Sequence, residues 1–263
     1  MKENFRSEKD SIGSIDVPIK SLWGAQTQRS IQNFSIGDEL VPIKLIYAIT
    51  LIKKASAIAN FNLGLLDEAK KNLIVEISSE ILKGVYDDHF PLKIWQTGSG
   101  TQTNMNVNEV IANIAAIKTN SKPGKHYPLH PNDDINKSQS TNDTFPAAMH
   151  ISAVDEIYKK LIPSLKILIE EFDQKSKEWA EIIKIGRTHF QDAVPISLGQ
   201  EISGWSKQLD DAKRSILLST NELFDLPIGG TAVGTGLNCP AGFSEKVINI
   251  INKEINLDFK KSN

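Results

Sequence analysis

Residues 151–172 read ISAVDEIYKKLIPSLKILIEEF, and residues 198–216 read LGQEISGWSKQLDDAKRSI. In both stretches apolar residues recur every three or four positions, which predicts two long helices, each with one apolar face. Apolar faces with a period of about 3.5 residues are typical of helices that pack nearly parallel in a bundle. We expect Pro163, which lies off the first face, to kink its helix rather than end it. The apolar positions are Ile151, Val154, Tyr158, Leu161, Leu165, Leu168 and Phe172, then Leu198, Ile202, Trp205, Leu209, Ala212 and Ile216.

The rest of the chain predicts shorter helices around 43–60, 67–83, 104–118 and 241–256. Strand patterns are scarce, so the predicted fold class is mostly α. Residues 120–137 are polar and rich in turn-forming proline and glycine, which is typical of a boundary. We therefore expect two domains. Residues 1–137 would form a domain of short helices and loops, and residues 138–263 would form part of a long-helix bundle.

The composition resembles that of a soluble globular protein, with 263 residues, 40% hydrophobic and 24% charged. Thirty basic and 32 acidic residues give a net charge of −2, which provides no basic surface for nucleic acid or an anionic membrane. Cys239 is the single cysteine, which excludes an internal disulfide and suits a reducing compartment. No apolar run approaches the roughly 20 residues of a membrane span, and residues 1–8 lack the apolar segment of a secretory signal. We expect a cytoplasmic protein, with a mature organellar chain as the alternative.

Three polar clusters lie where helices are expected to begin. They are residues 98–104 (GSGTQTN), 138–143 (SQSTND) and 186–192 (GRTHFQD). We expect the second to open a helix over 144–172 with Pro146 in its first turn, and the third to lead into a helix that starts at Pro195. The N-terminus of a helix offers unpaired N–H groups and the positive end of the dipole, so three converging ends would suit a small dicarboxylate. The alternative is that these residues are ordinary helix caps.

His189 is the candidate general acid or base, because it has polar neighbours and histidine is the side chain that most often serves this role near neutral pH. The alternative is a solvated surface histidine. Residues 98–103 lack the third glycine of a dinucleotide-binding loop, and residues 229–235 lack the lysine of a phosphate-binding loop. His126, His130, Asp133 and Asp134 suggest a metal site, but intervening prolines break the helical ligand spacing, so turn or capping roles fit Asp133 and Asp134 better.

Seven runs in this sequence are distinctive: 6–10 (RSEKD), 22–30 (LWGAQTQRS), 94–102 (IWQTGSGTQ), 130–134 (HPNDD), 137–140 (KSQS), 186–189 (GRTH) and 229–236 (GGTAVGTG). Through these runs the sequence resembles the class II fumarase branch of the fumarase/aspartase superfamily over nearly the whole chain. Aspartate ammonia-lyases are similar but usually carry Gln where His189 stands, and argininosuccinate lyases differ in most other runs.

The resemblance implies a fumarase/aspartase-like fold and the reversible anti addition of water to fumarate, giving (S)-malate in the tricarboxylic acid cycle, with no metal or organic cofactor. It implies that His189 is catalytic and relays a proton through a bound water. The family's usual Arg before its second dicarboxylate site is replaced by residues 125–127 (KHY). By the same resemblance, substrate carboxylates are bound by Ser99, Gly100, Thr101, Ser140, Thr141, Asn142 and Thr188, and the second dicarboxylate site comprises His130, Pro131, Asn132 and Asp133.

Family members continue well past residue 263, into the rest of the central bundle and a loop of GSSxMPxKxNP type that carries the carbon-acid base. Each of their active sites is built from three subunits of a homotetramer. By resemblance, residues 1–137 are the N-terminal lyase domain and residues 138–263 are an incomplete central helical-bundle domain. The expected function is therefore fumarate hydratase. The alternatives are an inactive remnant or assembly partner of a split fumarase and, less favoured, an aspartate ammonia-lyase.

Overall fold

Helix α4 is the centre of the first of two units in the computed structural model, which describes residues 4–263. Every α4 residue from Thr103 to Ala116 is buried. Helix α2 is apolar on all sides and packs against α3, α4 and α8, as expected for a helix enclosed by others. The first unit comprises the chain up to Ser152 together with Asp225–Asn263. Its helices are α1 Ala25–Asn33, α2 Ile43–Asn62, α3 Glu68–Ile81, α4 Thr101–Lys118, most of α5 Thr141–Glu156, and α8 Phe243–Ile255.

Short irregular elements connect these helices. An antiparallel hairpin of β1 (Phe5–Lys9) and β2 (Ser14–Pro18) pairs Phe5 with Pro18 and Lys9 with Ser14. A 3₁₀ turn covers Asp87–His89, and one turn of π-helix covers Pro131–Ile135. The two-residue strands β5 (Asp225–Leu226) and β6 (Lys260–Lys261) pair in parallel beside α8.

The second unit, Ala153–Phe224, is a helical hairpin with a β-hairpin at its turn. It contains a π-helical turn Ile157–Leu161, α6 Ile162–Glu178, β3 Ile183–Thr188, β4 Gln191–Ser197, α7 Leu198–Thr220 and a 3₁₀ turn Asn221–Phe224. Phe172 and Trp205 pack edge to face with ring centroids 6.1 Å apart, and Ser206 Oγ donates to Asp173 Oδ1. Both apolar faces recognised in the sequence therefore lie on long helices, and α6 packs against α7.

The fold class is confirmed, since the described chain is mostly helical and all four shorter predicted helices are present. The single helix expected over 144–172 is wrong in detail. The helical segment starts at Thr141, and Pro146 lies inside α5 rather than in its first turn. The α-helical hydrogen-bond pattern changes to a π-helical turn just before Pro163. This π-turn lets the chain continue past a proline that cannot donate to an ordinary helical bond. Among residues 4–263 no helix combines the length and apolarity needed to span a membrane.

Pro195 does not start a helix, contrary to expectation. It lies within β4, opposite Ile185, and α7 begins only after Ser197. Ser197 Oγ accepts from the backbone N–H of Gln200, while the Gln200 side chain accepts from the backbone N–H of Ser197. This reciprocal capping box marks the helix start more strongly than the proline does.

Helices α6 and α7 approach closely at Gly199. A Cβ added there would lie 2.2 Å from the carbonyl oxygen of Ser176, whose hydroxyl donates to the Gly199 carbonyl at 2.8 Å. We therefore expect Gly199→Ala to push the two helices apart and lower the free energy of unfolding by about 1–3 kcal/mol. Urea denaturation followed by circular dichroism measures this.

Gly204 provides the matched control on the same helix. A Cβ at Gly204 meets nothing within 4 Å, so Gly204→Ala should raise stability by about 1 kcal/mol through helix propensity alone. Equal effects of the two substitutions would contradict the close approach at Gly199.

Candidate active site

The N-terminal end of α4 has no side-chain cap. Its N-cap is Gly100, which has a left-handed φ of 72° and no side chain to offer, and no acidic residue lies in the first turn. The hydroxyls of Ser99 and Thr101 are exposed and lie 3.1 Å apart, so they bond to each other rather than to the helix backbone. Capping therefore does not account for these two hydroxyls. They lie at a helix end whose free N–H groups attract anions.

The N-terminal end of α5 is partly capped. Ser140 Oγ accepts from the N–H of Asn142 at 3.3 Å, and Asp143 Oδ1 accepts from the N–H of Ser140 at 3.0 Å. Thr141 Oγ1 accepts from Asn104 Nδ2 at 3.0 Å, and Asn142 Nδ2 donates to the carbonyl of Ala232 at 2.7 Å. Ser140 therefore caps the helix, as the alternative interpretation predicts. Thr141 and Asn142 instead form hydrogen bonds with residues that are distant in sequence.

The two helix ends lie side by side. A Cβ on Gly100 would come within 2.3–2.5 Å of the ring of Phe145, so only glycine lets α4 begin against α5. The bond from Asn104 to Thr141 joins the same two helices one turn deeper. The structure therefore brings together six of the sequence-predicted site residues, namely Ser99, Gly100, Thr101, Ser140, Thr141 and Asn142.

A glycine-rich segment, residues 229–236, borders the α5 end. Asp143 Oδ2 accepts from the N–H groups of Gly229 at 3.1 Å and Thr231 at 2.9 Å, which fixes the segment beside Ser140. In the sequence this segment lacks the lysine of a phosphate-binding loop and is one of the runs that resemble fumarases, and neither pattern predicts its contact with α5. The signal available was Asp143 itself, whose position three residues after Ser140 is typical of a capping carboxylate. A cavity of about 300 Å³ lies between the glycine-rich segment and the α5 end. It is lined by Ser138, Gln139, Ser140, Thr231, Ala232, Val233, Leu237 and Asn238.

Lys53 is a second residue that sequence analysis missed. It lies in the middle of α2 with 0% of its surface exposed, and its Nζ donates to Asn136 Oδ1 at 2.8 Å and Gln139 Oε1 at 3.0 Å. Burial lowers the pKa of Lys53 to about 7, and the charge of Asp143 opposes that shift. A cationic group is therefore buried directly beneath the α5 end.

Thr188 and His189 lie in the second unit, at the end of the β3–β4 hairpin. Thr188 pairs with Gln191, and the two turn residues His189 and Phe190 have φ values of 50° and 62°. Positive φ at both central positions is the pattern of a type I′ turn, which glycine and asparagine usually occupy. His189 is exposed, and the side chain of Phe190 is 91% exposed. The expectation that residues 186–192 lead directly into a helix is wrong, because antiparallel pairing continues to Ser197.

His130, Pro131, Asn132 and Asp133 form the start of the π-helical turn in the first unit. His130 Nδ1 accepts from the N–H groups of Asn132 at 3.2 Å and Asp133 at 3.1 Å, so this ring caps the turn. The rings of His126 and His130 contact edge to face at 4.8 Å, and burial lowers the pKa of His126. An adjacent cavity of about 380 Å³ is lined by Lys9, Asp10, Ser11, Ala25, Gln26, Met105, Glu109, His126, His130, Pro131 and Asn132.

Glu109 forms one wall of that second cavity and holds the start of α1. Its carboxylate accepts from the N–H groups of Gly24, Gln26 and Thr27 at 2.9, 2.8 and 3.2 Å, and from the Thr27 hydroxyl at 2.6 Å. These donors lower the pKa of Glu109, but burial outweighs them and raises it to about 7. The carboxyl therefore caps α1 from a different helix.

The fold is mostly helical, and it places two polar helix ends side by side, one of them at a cavity of about 300 Å³. A protein-family model described as "Lyase" matches residues 13–263, so the chain belongs to this lyase family.

The chain is 66% identical over 262 residues to "Fumarate hydratase class II" of Prochlorococcus marinus subsp. pastoris, covering 100% of this chain and 57% of that protein. It is 50% identical over 258 residues to the Bacillus subtilis protein of the same name, covering 98% and 56%. The crystal structure of recombinant class II fumarase from Schistosoma mansoni superposes with a TM-score of 0.90 at 44% identity, covering 96% of this chain and 53% of that chain. The resemblance found in the sequence is confirmed, and the chain spans about half the length of these relatives.

The raised pKa of Glu109 predicts a pH-dependent effect of Glu109→Gln. A carboxyl whose pKa is raised by folding is easier to protonate in the folded protein than in the unfolded chain. Its contribution to the free energy of unfolding is therefore complete below its unfolded pKa, near 4.5, and is lost as the pH rises to about 7. We therefore expect the destabilisation caused by Glu109→Gln to shrink across this window, by up to about 3 kcal/mol. Urea denaturation of the wild type and of Glu109→Gln at several pH values measures the difference between their free energies of unfolding. The contributions of the other titrating groups cancel in this difference.

Glu76→Gln is the matched control, since Glu76 pairs with Lys118 at the surface of the same unit. Its effect should not diminish across this pH range. A pH-independent effect of Glu109→Gln would show that Glu109 is ionised throughout.

Proposed function

We propose that this chain supplies part of the active site of a fumarate hydratase, which adds water reversibly and anti to fumarate to give (S)-malate. The observation that carries the proposal is the close pairing of the α4 and α5 ends, with Gly100 against Phe145 and Asn104 bonded to Thr141. Two adjacent positive helix ends lined by small hydroxyls and an amide suit a short dianion. The names of the similar proteins support the same substrate.

In this proposal the α4 end binds a substrate carboxylate through Ser99, Gly100 and Thr101, and the α5 end contributes Ser140, Thr141 and Asn142. Thr188 contributes a further hydroxyl. His189 exchanges a proton with the substrate hydroxyl through a water molecule, which a histidine near neutral pH can do in both directions. The proposed reaction uses no metal and no organic cofactor.

The cavity beside His130, Pro131, Asn132 and Asp133 is proposed as a second dicarboxylate site. Lys9 lies in its lining and could replace the charge of the family's usual arginine. We further propose a homotetramer in the cytoplasm, with residues 1–137 as the lyase domain and residues 138–263 as part of the central bundle. The single cysteine suits a reducing compartment.

The test is a hydration assay on the chain co-expressed with the part of the Prochlorococcus marinus relative that it does not cover. We expect the purified complex to consume fumarate, followed by its ultraviolet absorbance, and to form malate. His189→Asn should lower the hydration rate by about 10²–10⁴-fold, the usual contribution of a general acid or base.

His150→Asn is the control, because His150 Nδ1 contacts the backbone carbonyl of Asp225 and has no part in the proposed site. It should keep most of the rate. An assembled but inactive wild-type complex would refute the proposal and favour a non-catalytic assembly partner. Ammonia release from aspartate would favour the ammonia-lyase alternative.

A further inference from the structure

Lys53 is an unusual residue for a fully buried position on a helix whose buried residues are mostly apolar. Methionine or leucine would fill the same space without the cost of desolvating an ammonium group. The two acceptors of its Nζ, Asn136 Oδ1 and Gln139 Oε1, are both neutral amide oxygens. Neither acceptor is charged, and the charge of Asp143 offsets the cost of burial only in part. The role of Lys53 must therefore depend on what an ammonium does to the hydrogen bonds around it.

An ammonium group can only donate, which determines the orientation of both amides. Gln139 turns its oxygen to Lys53, and its Nε2 then donates to the carbonyls of Ile135 and Lys137, each at 3.1 Å. Asn136 turns its oxygen to Lys53 in the same way. That oxygen also accepts from Asn104 Nδ2 at 3.2 Å.

Asn104 must therefore present its NH₂ group towards Asn136. The same nitrogen donates to Thr141 Oγ1 at 3.0 Å, while the Oδ1 of Asn104 is buried and has no hydrogen-bond partner. Reversing the amide would place its oxygen against the oxygen of Asn136, which Lys53 already holds in place. The unpaired oxygen of Asn104 is thus the cost of keeping the chain of bonds pointing in one direction.

Thr141 is the last residue in this chain of bonds and the first residue of α5. Its oxygen accepts from Asn104, so its own proton points away from Asn104 and is available to an acceptor at the helix end. A hydroxyl with this orientation can donate to a carboxylate without first breaking another bond, and a bond to a charged acceptor is among the stronger ones.

We propose that Lys53 is a positioning residue, which orders the hydrogen bonds from Asn136 through Asn104 so that the Thr141 hydroxyl donates to a substrate carboxylate. The proposal rests on the proposed function, because it takes the α5 end to be a carboxylate site. Lys53 itself does not touch the substrate. Its effect is on affinity, through the direction in which one proton points.

The test uses the co-expressed complex and measures KM and kcat for fumarate at a pH below about 7, where Lys53 is protonated. Lys53→Met and Thr141→Val should each raise KM by about tenfold, the effect of losing one hydrogen bond to a charged group. The double variant should have the KM of Thr141→Val alone, because Lys53 acts through that hydroxyl. Thr141→Ser, which keeps the hydroxyl, should raise KM less than Thr141→Val does.

Lys54→Met is the matched control, since Lys54 is the next residue of the same helix and pairs with Glu254 instead. It removes the same charge and should leave KM unchanged. Multiplicative losses in the Lys53→Met and Thr141→Val double variant, or equal effects of Lys53→Met and Lys54→Met, would overturn the role of Lys53. An inactive wild-type complex would instead refute the proposed function, so the two failures are distinguishable.

Asn104→Asp tests the same chain of bonds if Lys53→Met does not assemble. A carboxylate at position 104 can only accept, so the Thr141 hydroxyl would turn inward to donate to it. KM should then rise to the value of Thr141→Val while the shape of the site is kept. An unchanged KM in Asn104→Asp would show that the direction of the Thr141 proton does not matter.

Discussion

The need to satisfy buried polar side chains along α4 determines how the first unit is arranged. A helix that is buried on all sides usually carries apolar residues, yet α4 carries four buried asparagines and a buried glutamate. Asn106 donates to the carbonyl of His89, and Asn113 donates to the carbonyl of Leu22 and accepts from the N–H of Gly124. Because a buried polar group without a partner is costly, each of these bonds fixes one loop or helix end against α4.

The same principle distinguishes helix ends that are capped by side chains from the α4 end, which is not. Helix α7 is closed by a reciprocal capping box, and α1 by carboxylates, one of them Glu109 on α4. Helix α4 begins at a glycine without a side-chain cap, beside exposed hydroxyls that bond to one another. Glycine at that position also permits the close packing of Phe145. The α4 end therefore keeps backbone N–H groups without a side-chain cap, and packing against α5 places a second set of polar groups beside it.

Buried charge is concentrated beneath this region. Lys53 and Asp143 come from different helices, and each is held by groups distant in sequence: amides at 136 and 139 for the lysine, backbone N–H groups at 229 and 231 for the aspartate. Together their hydrogen bonds hold the α5 end against residues 136–139 and against residues 229–231. Asn104 Oδ1 is one of three buried asparagine oxygens on α4 without a hydrogen-bond partner, and in this network its position shows the direction in which the bonds point.

The amino-acid sequence alone determined the mostly helical class, the positions of the main helices and the family resemblance, because apolar periodicity and capping residues act over a few positions. It also identified the two polar clusters at the α4 and α5 ends. The β3–β4 hairpin was missed, since its turn is His-Phe rather than a glycine or asparagine pair, and Pro195 is a stronger local signal for a helix start than for a strand. Lys53 looks like an ordinary helical lysine, and Asn104 like an ordinary first-turn residue. Only the tertiary structure shows that they are buried and bonded to partners 32 to 86 residues away. Contacts at that separation depend on how whole helices pack, which no local pattern encodes.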